Sequence, residues 1–160
     1  MVMLAGLLFG ARIGGIAGGV GSAISDVLLG YAYFSPLTLF IKGTEGFLTG
    51  LIGNKKRVSY KVMGVGAGAV AMLVGYFSVE TPLYGMGAAL AELVTINSLQ
   101  VSSGAIVSLL LSQAILKAYP DIKFLQPKRQ GLRTGIIVVV VAAVVLGGIV
   151  GFYLMTGISP

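Results

Sequence analysis

Thr134-Gly-Ile-Ile-Val-Val-Val-Val-Ala-Ala-Val-Val-Leu-Gly-Gly-Ile-Val-Gly-Phe-Tyr-Leu-Met155 runs for 22 residues without a charge. At 1.5 Å per residue this is a helix of about 33 Å, enough to cross a hydrocarbon core of about 30 Å. The rest of the chain has the same character. Of 160 residues, 56% are hydrophobic and only 10% charged, and the mean hydropathy is +0.98. A soluble domain carries about 25% charged residues. The composition therefore excludes a soluble globular enzyme, a disordered tail and a disulfide-stapled module. Cys and His are absent, which excludes zinc sites, thiol redox chemistry and Ser-His or Cys-His catalysis. No cofactor and no metal are expected.

Shorter apolar stretches precede that span. Residues 1–10 are apolar but too short to cross a bilayer, and with no positive n-region they do not read as a signal peptide. Residues 13–31, 36–53, 62–79 and 101–118 are apolar, while 83–100 is mixed. Glu80-Thr81-Pro82 is predicted to break the helix before it, since proline lacks an N–H donor and biases its predecessor away from helix. The fold class expected is all-α, a polytopic membrane bundle of about six transmembrane helices.

The net charge of +6 is concentrated in two clusters. Lys55, Lys56, Arg57 and Lys61 form one; Lys117, Lys123, Lys128, Arg129 and Arg133 form the other. Basic loops between apolar segments lie in the cytoplasm beside anionic lipid, so no nucleic-acid partner is expected. Residues 80–100 then fall at or near the outer face.

Gly10, Gly14 and Gly18 repeat at i, i+4, as do Gly15 and Gly19 with Ala23. In lipid, such small-residue rows allow close backbone approach. They serve packing within the chain or an interface with a second membrane subunit. A phosphate-cradling loop is disfavoured, because no strand precedes Gly14 and no Lys-Ser/Thr follows.

Polar residues inside apolar segments mark candidate sites, since a charge there costs about 2.5–3.5 kcal/mol on insertion scales. Lys42 and Glu45, at i, i+3, share a helix face. They form either an internal ion pair or part of a ligand cavity. Glu92, Asn97 and Gln100 lie near the outer face, and paired amides can read the edge of a heterocycle. Tyr84 is a weaker candidate for stacking.

Met3-Leu-Ala-Gly-Leu-Leu-Phe-Gly-Ala-Arg-Ile-Gly-Gly-Ile-Ala-Gly-Gly-Val-Gly-Ser-Ala-Ile-Ser-Asp26 and Ile41-Lys-Gly-Thr-Glu-Gly46 resemble the S components of energy-coupling-factor (ECF) vitamin transporters, in the riboflavin and hydroxymethylpyrimidine branch. Glu92, Asn97-x-x-Gln100 and Lys117-Ala-Tyr-Pro120 fit the same pattern. The resemblance covers about residues 1–125. It implies a substrate-binding subunit in the prokaryotic cell membrane, not an enzyme. Such a subunit captures a vitamin or vitamin precursor at its outer face and works with a shared transmembrane scaffold subunit and two ATPases. It points to Lys42, Glu45, Glu92, Asn97 and Gln100 as cavity residues. It also implies that 1–125 lacks the family's first helix, that 126–133 is a basic cytoplasmic loop, and that 134–156 is an additional span able to fill the missing position. The rival expectation is a structural or regulatory membrane subunit, with its polar groups paired internally and no open cavity.

Overall fold

The computed structural model describes residues 1–55 and 57–119, and all its regular elements are helical. They are α1 (Val2–Phe9), α2 (Ala11–Leu28), α3 (Ser35–Gly53), α4 (Val58–Tyr84), α5 (Met86–Glu92) and α6 (Ser98–Ala118), with a π turn at Leu93–Asn97 joining the last two. The expected segments 126–133 and 134–156 lie outside the described residues. An all-helical bundle is therefore observed for the described part. Within it, Val58–Tyr84 and Met86–Ala118 are long and apolar enough to cross a membrane.

The chain reverses between α1 and α2 at Gly10, whose φ of 85° is open to glycine and strained for other residues. Its N–H closes the end of α1 on the Gly6 carbonyl. The resulting hairpin sets Gly6 against Gly14 and Val2 against Gly18. α3 opens with Ser35-Pro36, proline being suited to a first helical turn where its missing N–H is not needed.

α2 and α3 run antiparallel at backbone contact. A Cβ on Gly19 would lie 2.6 Å from the Leu39 carbonyl oxygen, and one on Gly50 2.5 Å from the Ala11 nitrogen. Gly14 and Gly46 face each other between these levels. The contact continues from α3 to α4, where a Cβ on Gly64 would lie 2.5 Å from the Gly53 nitrogen. In water so many glycines would weaken a helix by about 1 kcal/mol each. In lipid the backbone has no other way to satisfy its polar groups, and small residues bring helices into van der Waals contact.

Leu37 and Ile41 of α3 form one apolar cluster with Met72, Tyr76 and Val79 of α4. Met3, Leu7 and Val65 form a second, against Ala105 and Leu109 of α6. Ile16, Ile24, Leu99 and Leu110 face outward.

One expectation about segmentation is corrected. The helix does not break at Glu80-Thr81-Pro82: α4 continues through Pro82 to Tyr84. Pro82 sits in the last turn, where its missing N–H costs one hydrogen bond, and the chain reverses only at Gly85, φ 86° and ψ 160°. The mixed stretch runs on into 101–118, since Met86–Ala118 is one continuous helical run. The π turn accommodates an irregularity in the backbone without ending the helix.

Candidate ligand-binding site

Val2, at the start of α1, packs against Gly18, partway along α2. Beyond its start, α2 and α6 do not pack against each other, and a cavity of about 440 Å³ opens between α2, α3 and α6. Met1 and Val2 form its floor. α2 contributes Gly18, Gly21, Ser22 and Ser25, at spacings of three and four that fall on one face. α6 contributes Gln100, Gly104 and Ser108, at i, i+4, i+8. α3 contributes Lys42 and Glu45.

Lys42 and Glu45 are the electrostatic centre of this cavity. The Lys42 ammonium donates to Glu45 Oε2 at 2.8 Å and lies 3.2 Å from Met72 Sδ. It also sits 5.7 Å from the centre of the Tyr76 ring, within reach of a cation–π attraction. Both side chains are nearly inaccessible, at 7% and 5% exposure. The alternatives left open by the sequence are thus both present in the geometry: the two residues pair with each other, and the same pair lines a cavity.

Gln100 is the third predicted residue at this cavity. The others are gathered elsewhere. Asn97 is buried and its side-chain amide donates to both carboxylate oxygens of Glu80, at 3.5 and 3.4 Å. Glu92 reaches the same Glu80 carboxyl. Tyr84 is 40% exposed and shares a hydrogen bond with Tyr33. Asn97 and Gln100 therefore serve different surroundings, although they lie only three positions apart. Gln100 turns to the space between α2 and α3, while Asn97, at the end of the π turn, meets α4.

The glycines proposed for a partner interface have neighbours inside this chain. Gly14 lies against Gly6 and Gly46, Gly15 against Gly43 and Phe47, Gly18 against Val2 and Lys42, and Gly19 against Leu39 and Gly43. Gly10 forms the α1–α2 turn and touches Gly50.

Sequence reasoning did not single out Ser22, Ser25, Glu80 or Ser108. For Ser108 a signal existed, since Gln100, Gly104 and Ser108 share one helical face. For Glu80 it was obscured by the expected break at Pro82.

A Pyrococcus woesei protein named "Uncharacterized protein in gap 3'region" is 44% identical over 109 residues, which are 67% of this chain and 72% of that protein. The thiamine precursor transporter HmpT of Lactococcus lactis subsp. cremoris is 33% identical over 108 residues, 68% of this chain and 61% of HmpT. No solved structure matches. Residues 1–117 match the family described as "ECF-type riboflavin transporter, S component", so the glycine-packed helices and their polar cavity belong to a member of that family: a membrane-embedded vitamin-transporter S component, not a member of an enzyme class.

Proposed function

We propose that this chain is the substrate-binding subunit of an ECF-type importer in a prokaryotic plasma membrane, and that it captures a small heterocyclic vitamin precursor in the α2–α3–α6 cavity. One observation carries the proposal. A buried Lys42–Glu45 pair lines a cavity of about 440 Å³, within the roughly 300–1,000 Å³ range of small-molecule pockets. A bundle built only for packing has no use for two desolvated charges beside empty space, each costly to bury. A solute with hydrogen-bonding edges does, and Gln100 adds an amide with both donors and an acceptor.

The wall described here is made of glycine, serine, alanine, methionine and valine together with the polar groups, without an aromatic ring. Such a wall suits a single pyrimidine ring better than the long flat ring system of riboflavin. Similarity to HmpT favours the same choice. Glu92, Asn97 and Tyr84 act outside the cavity in this proposal, holding the α4–α5 turn together. Energy for uptake comes from a shared transmembrane scaffold and two ATPase subunits.

Calorimetric titration of the purified chain with hydroxymethylpyrimidine and with riboflavin tests this directly. Saturable binding of hydroxymethylpyrimidine, tighter than riboflavin, is the expected result. Preference for riboflavin overturns the assignment of ligand size. Binding of neither returns the chain to the structural-subunit reading.

A further inference from the structure

Ser108 stands apart from three other serines of its helix and, unlike Ser102, is buried. Ser98, Ser103 and Ser112 each turn the hydroxyl onto a backbone carbonyl of a preceding residue: Leu93, Leu99 and Leu109 respectively. This is the usual way for a serine inside an apolar helix to satisfy its donor. Ser108 does not. It is 1% exposed, its hydroxyl has no hydrogen-bond partner, and it belongs to the cavity wall. A buried polar group without a partner is costly and calls for an explanation.

Its position supplies one. Two helical turns separate it from Gln100 on the same face, about 12 Å along the axis. Gly104 lies between them, and a Cβ there would meet nothing within 4 Å. α6 thus presents an amide, a gap and an orphan hydroxyl in line, with the Lys42–Glu45 pair on the neighbouring wall.

We propose that Ser108 is a specificity-determining ligand contact at the inner end of the cavity, where its hydroxyl hydrogen-bonds a ring nitrogen or an exocyclic amine of the captured solute. This rests on the capture reading above and adds its inner anchor. A hydroxyl can donate or accept, so it suits either a ring nitrogen or an exocyclic amine. The solute class is a heteroaromatic ring with polar groups at opposite ends: one meeting Gln100 and the ion pair, the other meeting Ser108.

The test uses the full chain in detergent, with calorimetric titration of hydroxymethylpyrimidine and riboflavin and thermal melting without ligand. In Ser108→Ala, affinity for the ligand preferred by the unaltered chain falls about 2–10-fold, the range of one neutral hydrogen bond. The ligand-free melting temperature stays the same or rises, because an unsatisfied group has been removed. A merely structural serine would move the melt and leave affinity alone. Ser108→Cys, close in size but a weak donor, guards against a folding defect and gives a loss in the same direction. Unchanged affinity in both variants overturns the inference while leaving capture intact. No binding of either probe by the unaltered chain overturns capture and this inference together.

Discussion

Lys42 and Glu45 show why a buried charge has to be judged as a pair. With side chains only 7% and 5% exposed, neither has solvent to fall back on. The 2.8 Å contact compensates each charge with the other. Removing one partner leaves the other uncompensated. Lys42→Met should therefore destabilise the chain by about 3–5 kcal/mol, read by thermal or chemical unfolding in detergent. The double replacement Lys42→Met with Glu45→Met should recover most of that loss, since exchanging a buried pair for apolar residues is often neutral. If the pair serves a ligand, the recovered variant will still fail to bind it. A double variant that binds at full strength would reduce Lys42–Glu45 to an internal brace. Asn97 follows the same logic at lower stakes: Asn97→Leu deprives the buried Glu80 of its amide donor. It should cost about 1–3 kcal/mol in stability, with ligand affinity unchanged because neither residue lines the cavity.

At the scale of helices, the glycine rows determine how close α2, α3 and α4 come. Gly46 is the tightest point, with its missing side chain replaced by the Gly14 backbone. Gly46→Ala pushes a methyl group into backbone rather than into a yielding side chain. The expected loss is at least the roughly 1–3 kcal/mol of an overpacked core. Gly66→Ala provides the comparison, since a Cβ there meets nothing within 4 Å. That change should be neutral or slightly stabilising through helix propensity. Equal effects at the two positions would show that close packing is not what holds α2 against α3. The spacing of these glycines was legible in the sequence because i, i+4 repetition places residues on one face of any helix. Which helix lies opposite was not, because small residues are compatible with any closely approaching partner.

At the scale of the molecule, the cavity lies where α2 and α6 do not touch each other. Val2 and Met3 of α1 line it together with α2, α3 and α6. Filling that space from α6 should prevent capture without disturbing the bundle. Gly104→Leu places a side chain where a Cβ meets open volume. It should abolish calorimetric binding while leaving the ligand-free melt close to that of the unaltered chain. Retained binding would place the ligand outside this cavity. The helix directions also bring the α3–α4 turn and the end of α6 to one end of the bundle, so Lys55, Arg57 and Lys117 gather there. The acids Glu80 and Glu92 lie toward the opposite end.

Composition and periodicity alone determined that the chain is helical and lipid-compatible, that glycine rows pack it, and that Lys42, Glu45 and Gln100 carry polar chemistry. Those properties are local, set by what each residue costs in hydrocarbon and by which residues share a helical face. Only the tertiary structure separated Gln100 from Asn97, carried α4 through Pro82, paired Asn97 with Glu80, and placed Ser108 in a cavity wall. Each of these depends on which helices meet and where one of them ends, and no spacing along a single helix encodes that.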